Sequence, residues 1–84
     1  MITTTVFVLK DLDAGTYHTG GRCDCWTAHL LHAQHYVMKG PATSARNWLK
    51  KYYEQSRNWA IPPRPRNNLV IVEVDVTYQE RMTH

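Results

Sequence analysis

Leu69-Val70-Ile71-Val72-Glu73-Val74-Asp75-Val76-Thr77-Tyr78 is the stretch that decides the fold. Side chains alternate between the two faces of a strand. Val70, Val72, Val74, Val76 and Tyr78 therefore form one row, and Leu69, Ile71, Glu73, Asp75 and Thr77 the other. A period of two in β-branched residues predicts a strand. The unbroken valine row is expected to face the main helix. Leu69 and Ile71 then lie on the opposite face, under residues 27–35 or in a homodimer.

Working outward, Thr3-Thr4-Thr5-Val6-Phe7-Val8-Leu9-Lys10 reads as a second strand by the same chemistry. Asp11-Leu12-Asp13-Ala14-Gly15-Thr16 follows as a hairpin loop, because Asp bonds nearby backbone and Gly tolerates positive φ. Tyr17-His18-Thr19 starts the returning strand, Gly20-Gly21 bends or bulges it, and Cys23-Asp24-Cys25-Trp26 resumes it. In residues 27–35, Leu30, Leu31 and Ala33 suit one or two helical turns capped by Thr27, and Tyr36-Val37-Met38 suits a short third strand.

Gly40-Pro41 opens a helix, since proline at the first helical position loses no hydrogen bond. From Ala42 the spacing is helical. Ala42, Ala45, Leu49, Tyr52 and Ser56 share the inner face, with Trp48 and Tyr53 flanking it and Trp59 continuing it. Asn47, Lys50, Lys51, Glu54 and Asn58 point to solvent. Ile61-Pro62-Pro63-Arg64-Pro65-Arg66 is an extended connector, because three prolines forbid regular pairing. The expected fold class is α+β: a three- or four-stranded antiparallel sheet with one main helix packed on one face, the last strand beside the first. Residues 1–84 make one such domain.

With 43% hydrophobic and 20% charged residues, the composition is that of a globular chain rather than a disordered tail. The longest apolar runs are four residues, Val6–Leu9 and Leu69–Val72, against the roughly 18 needed to cross a bilayer. No charged segment followed by an apolar one opens the sequence, so a cytoplasmic protein with no membrane partner is expected. Two cysteines with one residue between them are too few and too close to staple a small fold, and the lack of a signal segment favours a reducing cytosol.

Charge is unevenly placed. Lys39, Arg46, Lys50, Lys51, Arg57, Arg64 and Arg66 stand against Glu54 alone, so residues 39–66 carry +6 and the remainder carries −3. Such a bipolar molecule steers acidic partners to one side; the plainer reading is a charged helix face that keeps the protein in solution.

Four chemistries compete for these residues. Cys23 and Cys25, with His29, His32 and His35 nearby, carry the donor types zinc uses, but one residue between the cysteines is shorter than zinc spacings, and the preferred reading is two small buried hydrophobes and scattered surface histidines. No cofactor is expected. A cysteine nucleophile with a histidine base lacks a group to orient it, and Glu73 and Asp75 are spaced as a solvated strand face, so the expectation is that the protein is not an enzyme. RNA or DNA binding would use the cations with Trp48, Tyr53 and Trp59 as stacking surfaces. Docking to a protein would use the same cations with Trp59 and the stiff Pro-Arg segment, residue types enriched at interface centres. The candidate contact residues in either case are Lys39, Arg46, Lys50, Lys51, Arg57, Trp59, Arg64 and Arg66.

Val6-Phe7-Val8-Leu9-Lys10, the Asp-Gly turn, Tyr17-His18-Thr19, Trp26, Ala33, Tyr36, Lys39-Gly40 with its Ala-rich helix, and Ile71-Val72-Glu73-Val74 together resemble small accessory proteins of tailed bacteriophages. The resemblance spans most of the chain and is one of pattern. It implies a non-enzymatic protein of the host-cell cytoplasm that antagonises a host defence system, nuclease or ribonucleoprotein complex, some members of the class binding RNA. The class shares no site motif, so it assigns no residue.

Overall fold

The computed structural model describes residues 2–82. The elements run β1 (Ile2–Asp11), β2 (Thr16–His18), β3 (Trp26–Thr27), a 3₁₀ turn (Leu30–His32), α1 (Lys39–Ser56) and β4 (Leu69–Tyr78). They form one antiparallel four-stranded sheet in the order β3-β2-β1-β4 with one main helix, an α+β fold. β1 and β4 pair along all ten residues, from Ile2 opposite Tyr78 to Asp11 opposite Leu69. Ten paired residues at about 3.4 Å each make a ribbon of about 34 Å, and the molecule is elongated, with extents of 56, 25 and 20 Å.

The β1–β2 turn follows from Asp11. Its carboxylate accepts the Asp13 N–H at 3.0 Å and the Ala14 N–H at 3.4 Å, and its carbonyl accepts the Gly15 N–H at 2.8 Å. Gly15 sits at φ +67°, a conformation that a β-carbon would strain. The Gly-Gly pair is a chain reversal rather than a bend within one strand. Gly20 has φ +95°, and a β-carbon there would lie 2.8 Å from Gln34 Oε1. The Cys-Asp-Cys-Trp segment therefore does not resume β2; it folds back, and Trp26–Thr27 pair antiparallel with Tyr17–His18. Tyr36 contributes one bridge, to Phe7, in place of a third strand.

The helix lies on the other face of the sheet from the one the valine row suggested. Leu9, Leu49, Tyr53 and Leu69 form the buried cluster, with Trp26, Ala45, Trp48, Tyr52 and Ile71 packed against it. Directly opposed residues share a face, so Leu9 and Ile71, which are partners, present one apolar surface to α1. Val70, Val72, Val74 and Val76 lie on the far face, each half-buried, beside the buried Val6 and Val8 of β1. The physical reason is reach. The helix covers only the end of the ribbon holding Leu9, Leu69 and Ile71; Glu73 and Asp75, further along the same row, are exposed and need no cover.

α1 begins at Lys39, two residues before the expected Pro41, so Pro41 occupies the first turn rather than its first position, and its missing N–H is still harmless there. Ala42, Leu49, Tyr53 and Ser56 are its buried residues. Tyr53 thus lies at the centre of the inner face rather than on its flank. The helix ends at Ser56, whose hydroxyl donates back to the Tyr53 carbonyl at 3.1 Å. Trp59 stands beyond the end, 51% exposed, its ring edge-to-face with Tyr52 at 5.5 Å. No helix among the described residues is long and apolar enough to cross a membrane.

Candidate cationic groove on the helix flank

Where α1 meets the connector, a groove of about 330 Å³ opens between Lys50, Tyr53 and Glu54 on the helix with Arg57 just past its end, and Pro65, Arg66 and Asn67 opposite. It forms because the prolines hold residues 62–68 out of regular structure, so the segment crosses the helix flank as a separate wall before β4 begins.

At about 100° per residue, Lys39, Arg46, Lys50 and Arg57 fall within roughly 40° of one line along α1. Lys51 lies away from that line and toward solvent. Lys39, Lys50 and Arg57 are exposed, and Arg46 is half-buried with its Nε shielded and unpartnered. Arg57 Nε donates to the Glu54 carbonyl at 3.4 Å, at the helix's own C-terminus, where a cation is favoured. Among the described residues, the ion pairs all involve Arg66, so the helix cations carry no acidic partner.

Arg66 itself is not a free docking cation. Its Nη1 donates to Asp11 Oδ2 at 2.5 Å, its Nε lies 3.6 Å from Asp24 Oδ1, and its guanidinium sits 4.3 Å from the centre of the Trp26 ring. Planar guanidinium suits this combination of carboxylate and aromatic face; a lysine ammonium would not. Burial raises the Asp11 carboxyl, but the Arg66 bond and the Ala14 and Asp13 N–H groups outweigh it and hold Asp11 below its ordinary value.

Asp24 completes the network. Its Oδ1 accepts the Trp26 indole N–H at 2.7 Å and the Tyr53 hydroxyl at 2.5 Å. Burial first, and then the hydrogen bond to Asp24, push the Tyr53 phenol up to about 12. Asp11, Asp24, Trp26, Tyr53 and Arg66 thus lock the end of β1, the segment leading into β3, the helix and the connector to one another, and two of them, Tyr53 and Arg66, line the groove from opposite walls.

Of the eight residues expected to make contacts, the groove gathers Lys50, Arg57 and Arg66; Lys39 and Arg46 extend the same line along α1. Lys51 and the exposed Arg64 and Trp59 are not among its lining residues. The stacking surfaces expected for unpaired bases are mostly engaged inside the fold: Tyr53 is buried, and Trp48 is half-buried and stacked on Tyr52 at 5.4 Å.

The cysteine and histidine readings need correction. Cys23 and Cys25 are joined by a disulfide, so neither offers a free thiolate, and Cys25 is exposed rather than part of a core. His29 and His32 pack edge-to-face on each other at 5.6 Å. No group of three or more His, Cys, Asp or Glu side chains among the described residues is placed to hold a metal ion. The histidine beside the cysteines is His18, which is buried and lies 2.7 Å from the Cys23 carbonyl. No family model, curated protein or solved structure matches the chain.

Proposed function

We propose that the protein is a non-catalytic binding protein that docks an acidic face of a protein partner along the cationic flank of α1 and the groove beside it, as an antagonist of a host macromolecule in the manner that the phage-type resemblance implies. The observation that carries the reading is the line Lys39, Arg46, Lys50, Arg57, none of them in an ion pair among the described residues, opening onto a groove walled by the proline-rich connector. Unpaired cations on one flank raise the encounter rate with an acidic surface and select against basic ones. The connector, stiffened by proline, loses little entropy when it is covered.

A protein partner is favoured over RNA or DNA because the aromatic rings a single strand would stack on are largely engaged within the fold. Capture from a bacterial lysate, with the whole protein as bait and with and without nuclease, tests this. A stoichiometric complex that survives nuclease supports the proposal. A complex lost on nuclease treatment, with affinity falling steeply as salt rises, assigns the same surface to nucleic acid.

A further inference from the structure

We propose that Cys23–Cys25 is a thiol–disulfide exchange site for a small thiol of the glutathione type, and that its oxidation state sets the hold of Asp24 on the helix and the connector. The disulfide closes a ring around a single residue, and that residue is Asp24. The enclosed carboxylate is the one that takes the Tyr53 hydroxyl at 2.5 Å and the Trp26 indole N–H at 2.7 Å and lies 3.6 Å from Arg66 Nε. A covalent closure that fixes the Asp24 backbone therefore aims a side chain joining three parts of the fold. Opening the ring frees the Asp24 dihedrals while leaving its neighbours anchored.

The surroundings differ for the two sulfurs. Cys25 is exposed, open to an incoming thiolate; Cys23 is half-buried. The Cys23 backbone is held from behind. Gly20 N–H donates to His18 Nδ1 at 3.2 Å, which leaves Nε2 to carry the ring proton and donate to the Cys23 carbonyl at 2.7 Å. Cys23 Sγ lies 3.4 Å from the Gly20 carbonyl. In the disulfide that sulfur has no hydrogen to give; as a thiol it has an acceptor already in place.

Exchange then runs in two steps. A small thiolate attacks Cys25 Sγ, the bond between the two cysteine sulfurs breaks, and Cys23 leaves as a thiolate that takes a proton and donates it toward Gly20. A second small thiolate attacks the small-molecule sulfur of the mixed disulfide, releasing Cys25, which is protonated, and the small-molecule disulfide. Two thiols are oxidised by two electrons in total, the protein disulfide is reduced by the same two, and the two thiol protons end on Cys23 and Cys25.

This goes beyond the docking proposal, and its readout involves no partner, so the two fail separately. The test equilibrates the oxidised, ¹⁵N-labelled 84-residue chain with glutathione and its disulfide at a series of ratios. Alkylation and mass measurement give the fraction reduced, and the indole N–H resonances are followed by NMR. The expected result is interconversion over that series, with the Trp26 indole resonance moving on reduction while that of Trp59 stays. Asp24→Ala should abolish the movement. Among single variants, Cys23→Ser should take up glutathione at Cys25 faster than Cys25→Ser does at Cys23. Resistance of the disulfide to excess glutathione, a Trp26 resonance unmoved by full reduction, or faster uptake at Cys23 would each overturn the proposal.

Discussion

Arg66 and Asp11, 55 residues apart in sequence, meet at 2.5 Å beside the Trp26 ring. Asp11 is 3% exposed and also organises the turn after β1, so one carboxylate fixes both the hairpin and the connector. Removing one partner of such a pair leaves a buried charge unsatisfied, which costs more than the pair contributes. Arg66→Ala is expected to destabilise the protein by about 1.5–3 kcal/mol, read from urea unfolding. Arg66→Lys should fall between wild type and Arg66→Ala, because it keeps the charge and loses the fork and the ring stacking. A wild-type midpoint for Arg66→Ala would show that the residue is a surface cation after all.

The same carboxylate sets an acid limit. The folded value of Asp11 lies below its unfolded value, near 3.9. The unfolded chain therefore binds the proton first, and the stability due to Asp11 is present above about pH 4 and lost as pH falls through the folded value. Asp11→Asn should flatten this part of the curve of stability against pH.

At the alkaline end the sign reverses. Tyr53 is raised to about 12 in the folded protein against about 10 unfolded. Its contribution is complete below pH 10 and is lost as pH rises from there toward 12. Tyr53→Phe should remove that alkaline dependence. Ultraviolet titration of the phenols should show one group missing in the variant at the high end.

The choice of sheet face is open to direct comparison. Leu69→Ala and Leu49→Ala each truncate a buried side chain of the helix-covered core and should cost about 2–5 kcal/mol. Val76→Ala, half-buried on the other face, should cost about 1 kcal/mol or less. Equal losses at Leu69 and Val76 would mean that the valine row is a core face of the same standing.

The two strands and the helix were legible because each rests on local pattern: alternation in Leu69–Tyr78, β-branched residues in Thr3–Lys10, and 3–4 spacing after Ala42; the pairing of the two strands followed from the simplest packing of one helix on one sheet. The Asp11–Gly15 turn was legible because Asp and Gly act on their own neighbours. Period two divides a strand into two faces without saying which one is covered, and a row broken by Glu73 and Asp75 proved to hold the core because α1 reaches only Leu69 and Ile71. β3 is two residues long, too short to carry a pattern. The excess of cations over residues 39–66 was legible, as was the helical spacing that lines up Lys39, Arg46, Lys50 and Arg57. The engagement of Arg66 was not legible, since nothing near residue 66 marks Asp11, Asp24 or Trp26 as its neighbours; those contacts exist only once the sheet has formed.

Lys50 and Lys51 are adjacent in sequence and separated by about 100° around the helix. Reversing either charge should leave stability within about 0.5 kcal/mol, as for most exposed positions. Their effects on docking should differ: Lys50→Glu weakens capture of the partner, and Lys51→Glu leaves it nearly unchanged.

The most direct measurement is therefore capture from a nuclease-treated bacterial lysate by wild type, by Lys50→Glu with Arg57→Glu, and by Lys51→Glu, with thermal unfolding recorded for each. A complex is expected with wild type and with Lys51→Glu, its loss in the double variant, and unchanged unfolding throughout. A double variant that folds as wild type and still captures the same partner would contradict the docking proposal.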